Sequence, residues 1–322
     1  MFQRSCLPLW AVLAAVFVWQ SFWGTRRAVA QVATPPAEQA EVPSSEAASA
    51  EEAEVVASAS EALYLRVTET DAGRPSALQT ATVRYEGKPG TKYPGRIVDL
   101  VGVVHIGQDA YYRDLNTQLG TYDRVLYELV APDGTRIKPE DLEKRRSLLA
   151  SVQSGMKDLL NLEYQLEKID YMANNFRHAD MSPDEFTEDL NRRGDSVWKM
   201  VARMMGAGLV TQANTGGDVG MLMAMFSSER SKMLKQLMAR QLVDMEVVTA
   251  GMDDANGDNT LIKGRNRKAF DVLEQVLDDG DRTVAVFYGA GHLPDMAERL
   301  KSDFEMVPTG TTWANAWDLT KN

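Results

Sequence analysis

Two of the three histidines in this chain close the same four-residue word, Gly102-Val103-Val104-His105 in the first half and Gly289-Ala290-Gly291-His292 near the other end. An imidazole can ligate a metal or move a proton, and a glycine just before it lets backbone or ligand approach closely. Glu128 adds a carboxylate inside an apolar run, between Leu126 and Val130, where it needs a partner. Two imidazoles and a carboxylate are ligands of the kind a hydrolytic divalent metal uses, with one position left for water. The plainer alternative makes each histidine a satisfied structural group and Glu128 half of an internal ion pair with Arg265.

The elements that would position these groups are legible in the periodicity. Ile97 to Val104 is apolar on both faces except at Asp99, as in a strand covered on both sides. Asp109 is the expected cap of a helix carrying Tyr111, Leu115 and Leu119, Gly120 ends it, and Arg124 to Val130 reads as the next strand. Strand, helix, strand over this length is a βαβ unit with parallel strands. Thr283 to Tyr288, the second Gly-x-x-His, a Pro294-started helix to Leu300 and a strand at Phe304 to Val307 repeat the order. Sites in such sheets form beyond the C-terminal strand ends, where Gly102 and Gly289 would line the space beside the histidines. Leu63 to Thr70 and Leu78 to Tyr85 read as edge strands of a meander.

A helix over Leu261 to Leu277, capped by Asn259 or Thr260, carries Ile262, Ala269, Phe270, Leu273 and Val276 on one stripe. Arg265 and Asn266 fall on that inward face, while Arg267, Asp271, Glu274 and Asp278 fall on the solvated one. An arginine placed there must meet a carboxylate or a ligand. The third histidine, His178, precedes the helix start Ser182-Pro183-Asp184-Glu185; it either lines the site or is a plain loop residue. The expected fold class is α/β: a central mixed β-sheet flanked by helices, two pseudo-repeated strand–Gly-x-x-His–helix–strand units, and a large helical insertion at about 139–252.

That insertion is read as helices at Glu140 to Leu162, Pro183 to Arg192, Ser196 to Met205 and Ser228 to Val248. It holds ten of the sixteen methionines between Met200 and Met252, either an adaptable core or a pliable surface for apolar or peptide substrates. Residues 206–226 are too polar and too rich in glycine to span a bilayer. The acidic run from Asp253 to Asp258 lacks the glycine and the final glutamate of a calcium loop and reads as a turn.

Residues 1–30 read as a secretory signal, with Arg4, an apolar stretch from Leu7 to Trp23 and Ala28-Val29-Ala30 before the expected cut after Ala30. The alternative is an uncleaved N-terminal membrane anchor; in both cases the bulk is exported, as a periplasmic, secreted or cell-envelope protein. Residues 31–60, rich in Ala, Glu, Pro and Ser without Lys or Arg, read as a disordered acidic linker to a domain at 61–322. The only cysteine, Cys6, lies in the signal, so the mature chain has no thiol nucleophile or thiolate ligand. A net charge of −11 argues against nucleic acid and anionic membrane surfaces as partners. No serine nucleophile motif, phosphate loop or dinucleotide fingerprint is present.

Taken with Tyr127-Glu128-Leu129 and Gly264-Arg265-Asn266, the two Gly-x-x-His words make the chain resemble the TraB/Tiki family over roughly residues 95–308. This family includes plasmid pheromone-shutdown proteins and the Wnt-inactivating Tiki metalloproteases. The resemblance implies an α/β fold related to the erythromycin-esterase and ChaN-like group, with two pseudo-repeats around one site. It also implies a divalent metal (Mn, Co or Zn) and hydrolysis of a peptide-like substrate by metal-activated water. The family's functional positions fall on His105, Glu128, Arg265, Asn266 and His292. Gly264 departs from the pattern, since the Tiki branch is expected to carry an acidic residue before the arginine. In this reading His105 and His292 are metal ligands and Glu128 is a third ligand or the base. Arg265 orients substrate or stabilises negative charge, helped by Asn266. Two other readings stand beside it: an exported protein that sequesters a peptide or apolar signal without turnover, and a metal-free, esterase-like hydrolase.

Overall fold

The computed structural model describes residues 64–137, 160–195, 227, 229–250 and 257–321. The signal, the acidic linker, most of the helix expected at Glu140 to Leu162, the one at Ser196 to Met205, the methionine-rich stretch to residue 226 and the run Asp253 to Asn256 lie outside them. Among the described residues no helix is long and apolar enough to cross a membrane.

The expected α/β architecture is present. The central sheet is built from β1 (Leu65–Glu69), β2 (Pro75–Gly87), β3 (Ile97–Val103), β5 (Arg124–Tyr127), β7 (Phe176–His178), β8 (Thr283–Gly289) and β9 (Met306–Asp318). A small ladder joins β4 (Ile106–Gly107) to β6 (Glu163–Tyr164). The helices are α1 (Asp109–Leu119), α2 (Gln165–Lys168), α3 (Pro183–Arg192), α4 (Arg230–Ala250), α5 (Arg265–Asp278) and α6 (Leu293–Ser302). In the sheet the order is β1-β2-β3-β8-β5-β7, with β9 antiparallel on the other edge of β2.

The two strands that end in Gly-x-x-His are direct neighbours. β3 and β8 pair in parallel with Gly102 opposite Tyr288 and Val103 opposite Gly289, so the two words leave the sheet side by side, one residue out of step. β5 runs parallel on the far side of β8, and β7 parallel beyond it. Four strand ends therefore deliver His105, Glu128, the segment after His178, and His292 to one end of the sheet, as expected of an α/β site. Both β3 and β8 are buried almost throughout, which explains their unbroken apolar sequence. The exception in β3, Asp99, accepts from Arg84 Nε and Nη2 at 2.9 and 2.8 Å and from the Tyr122 hydroxyl at 2.6 Å.

Several local expectations change. Gln108, not Asp109, is the N-cap of α1 and makes no side-chain cap bond. Asp109 instead pairs with Lys168 at 2.8 Å and Arg113 at 3.4 Å. β5 stops at Tyr127, so Glu128 is the first residue beyond the strand rather than a member of it. The last strand is thirteen residues long, not four; its polar, proline- and glycine-containing middle is exposed at the sheet edge, where alternation is not demanded. The insertion is not wholly helical, because it lends β7 to the central sheet; three residues are too few to signal by periodicity. The capping box at Ser182 and Glu185 forms as expected, and Asn259 accepts from the backbone of Ile262 and Lys263. A π-helical turn, Thr260–Gly264, then separates Asn259 from the start of α5.

Candidate active site

Arg265 is the hub. Its side chain is 2% exposed and reaches across from the first turn of α5. Nε and Nη2 donate to the two oxygens of Asp180 at 3.0 and 2.6 Å, and Nη2 also donates to Glu128 Oε1 at 2.7 Å. Asp180, fully buried, is the carboxylate that an inward arginine requires. Burial opposes the guanidinium charge, but Asp180 and Glu128 together raise its pKa further above the ordinary arginine value. The π-helical turn lies immediately ahead, and extra-residue turns of this kind often re-aim side chains at functional positions.

Glu128 sits just past the end of β5, with its side chain 10% exposed. Oε1 meets Arg265, and Oε2 accepts from the Gly289 backbone N–H at 2.8 Å. Burial alone would raise its pKa, yet Arg265, His292, His105 and the Gly289 amide hold the carboxyl well below the usual range. Each oxygen keeps a second lone pair for another partner.

His292 ends a short 3-10 turn, Ala290–His292, and is wholly buried. Its Nδ1 lies 2.7 Å from Asn266 Oδ1, while Asn266 Nδ2 donates to the His292 carbonyl at 3.0 Å and to Asp295 Oδ2 at 2.8 Å. Because the amide nitrogen faces two oxygens, Oδ1 must face the ring, and the ring hydrogen must be on Nδ1. Nε2 then carries the lone pair, 3.5 Å from Glu128 Oε1 and 3.4 Å from Arg265 Nη1. Burial holds the imidazole down at about 4, against Glu128, which pulls it up. At neutral pH His292 is therefore an uncharged ligand or base, and its contact with Glu128 is not an ion pair. Tyr288 packs edge-on against the ring at 5.3 Å and donates its hydroxyl to the Ala179 carbonyl.

His105 is partly exposed, at the outer side of the cluster. Its Nδ1 lies 2.9 Å from Gln165 Oε1, and the Gln165 backbone N–H donates to the His105 carbonyl, also at 2.9 Å. The β4–β6 ladder brings Gln165 there from sixty residues away. The two histidines and Glu128 converge on Gly289: a Cβ there would stand 3.2 Å from Glu128 Oε2, 3.9 Å from His292 Cδ2 and 4.0 Å from His105 Nε2. The second glycine thus leaves room for the cluster, whereas a Cβ on Gly102 would press on Leu293 and the Ala81 carbonyl at 3.0 and 3.1 Å. Gly102 serves the packing of α6 on β3 and does not line the histidine cluster.

His178 stands at the end of β7, where Nε2 donates to the Leu129 carbonyl at 2.5 Å and the ring packs edge-on to Tyr127 at 5.7 Å. It secures the segment after Glu128 from outside. Sequence reasoning passed over Asp180 and Gln165, which make the principal contacts to Arg265 and His105. The signal for Asp180 was the unassigned carboxylate that Arg265 demanded; Gln165 gave none. A groove of about 630 Å³ elsewhere, lined by Glu185, Arg267, Lys268, Phe270 and Phe304 among others, contains none of the expected site residues.

Among the described residues no three His, Cys, Asp or Glu side chains are grouped as a ready metal-ligand set. Two imidazoles and a carboxylate are donor types that a divalent ion takes, and here His292 Nε2 and Glu128 Oε1 both also face the Arg265 guanidinium, at 3.4 and 2.7 Å. Two donors bound to one small ion at tetrahedral geometry stand about 3.4 Å apart, close to the 3.5 Å between His292 Nε2 and Glu128 Oε1. An amide oxygen on Nδ1 is also the kind of outer contact that metal-ligating histidines carry. Compared with known protein families, curated proteins and solved structures, the chain matches none.

Proposed function

We propose that this chain is a divalent-metal-dependent hydrolase acting on a peptide-like substrate, in keeping with the TraB/Tiki resemblance of its four short motifs. The observation that supports this most is the convergence of His105 Nε2, Glu128 and His292 on the bare face of Gly289. His105 and His292 would hold the ion, with Glu128 joining through a second lone pair or acting as base. A bound Mn, Co or Zn ion would supply Lewis-acid polarisation and an activated water. Arg265 keeps Glu128 ionised and adds positive charge beside the place where negative charge would develop. Asn266 has its amide committed to His292 and Asp295, so it positions His292 and does not touch substrate. The buried face of His292 and Arg265 forms the floor, and the partly exposed His105 marks the side from which substrate enters.

One observation favours a second reading. Both Glu128 oxygens are already engaged, by Arg265 and the Gly289 amide, which suits a metal-free hydrolase with a histidine as general base. Incubating the purified chain with a mixed peptide library, with and without chelator, separates these. Cleavage that stops on chelation and returns with added Mn, Co or Zn is expected. Cleavage that survives chelation would replace the metal reading with the metal-free one. Retention of peptides without cleavage would point to a sequestering protein.

A further inference from the structure

We propose that Gln165 is the positioning residue that locks His105 with its ring hydrogen on Nδ1, as Asn266 locks His292. This rests on the reading of the paired histidines as the functional site. Each histidine is gripped at two points by a single amide residue. Asn266 places Oδ1 on the ring of His292 and an N–H on its carbonyl. Gln165 places Oε1 on the ring of His105 and its backbone N–H on that residue's carbonyl. The two amides come from unrelated places, the start of α2 and the start of α5, so the repeated strand and glycine do not by themselves produce the likeness.

The Gln165 amide is placed with its nitrogen toward Tyr171 and its oxygen toward His105. Nε2 donates to the Tyr171 hydroxyl at 2.9 Å, and both side chains are buried, at 3% and 1% exposure. In this orientation Oε1 accepts from His105 Nδ1–H, and Nε2 of the imidazole, 4.0 Å from where a Cβ on Gly289 would stand, carries the lone pair. Free imidazole side chains favour the other tautomer, so the clamp selects the form able to ligate through Nε2. The reverse amide orientation would put an N–H against Nδ1 and leave Nε2 protonated, unable to ligate.

The two cases separate in long-range proton–nitrogen NMR of the metal-free full chain labelled at histidine nitrogens, assigned with His105→Ala and His292→Ala. The expected spectrum shows both residues protonated at Nδ1. Gln165→Leu moves His105 to the Nε2-protonated form and leaves His292 unchanged, which also reports that the fold is intact. Gln165→Glu, whose carboxylate accepts the same bond, restores the Nδ1–H form. His105 protonated at Nε2 in the wild type, or unchanged in Gln165→Leu, overturns the proposal. Cobalt affinity adds an independent readout, expected to weaken about 10–100-fold in Gln165→Leu and to recover in Gln165→Glu. If the wild type binds no metal but shows the expected tautomers, the metal reading fails and the clamp stands. If Gln165→Leu binds cobalt as the wild type does, the clamp fails and the metal reading stands.

Discussion

His292 and His105 end the same word on neighbouring strands, yet their surroundings differ. His292 is sealed among Arg265, Asn266 and Tyr288, with no exposed surface, and its amide partner is itself tied to Asp295. His105 is partly open to solvent, and its partner arrives on a two-residue ladder from a distant segment. One half of the centre is therefore built into the core, and the other is an outer wall to which Gln165 is clamped. The difference teaches that burial and hydrogen bonding are unequally divided between two residues that look equivalent in sequence.

The largest effect should come from the hub on the buried side. Arg265→Met strands Asp180 without its charge partner in the core, and a loss of about 3–5 kcal/mol in denaturant unfolding is expected. Adding Asp180→Asn should recover part of it, because the stranded charge is then removed; no recovery would show that the pair is not coupled.

Next, His292→Ala should cost about 2–4 kcal/mol, through a cavity and an unsatisfied Asn266 oxygen. His105→Ala, at the partly exposed outer wall, should cost less, about 1–2 kcal/mol, chiefly through the buried Gln165 oxygen it leaves without a partner. Equal losses would erase the distinction between floor and wall.

The glycines sharpen the same contrast. Gly102→Ala should destabilise by about 1–3 kcal/mol, because its Cβ presses on Leu293 and a backbone carbonyl. Gly289→Ala should lose metal affinity and hydrolysis at a smaller stability cost than Gly102→Ala, since its Cβ meets a carboxylate oxygen of Glu128 at 3.2 Å and no backbone atom. The reverse pattern would mean that the cluster does not converge on Gly289 in solution.

A pH slope in the metal-free protein tests the buried half from another side. Below about 6.5 the unfolded chain protonates this histidine, while folded His292 refuses the proton until about 4. The unfolded state binds more protons across that window, so stability falls as pH falls through it. Glu128, depressed by Arg265 against its burial, contributes fully above its unfolded value and loses that contribution in stronger acid. His292→Asn should remove the upper segment of the slope, as read from unfolding midpoints between pH 7 and 4; an unchanged slope would contradict the buried neutral imidazole.

Much of this arrangement was legible before the fold was known, for physical reasons that also mark where legibility ended. Strands covered on both sides must be apolar, so β3 and β8 and the glycines at their ends announced themselves, and with them the histidines. Glu128 and Arg265 were visible as charges on faces that burial demands be apolar, and burial forced them to find each other. Asp180 and Gln165 lie in short polar segments where neither period applies, so nothing local distinguished them from surface residues. The long β9 was hidden for the opposite reason: an exposed edge strand has no second buried face to impose alternation on Pro308 to Thr312.

The claim that joins these points is that both histidines present Nε2 to one divalent ion. Cobalt titration of the purified chain, beside His105→Ala and His292→Ala, tests it most directly. One bound equivalent in the wild type and none in either variant, with all three folded by circular dichroism, is the predicted result. A full equivalent retained by both variants would contradict it.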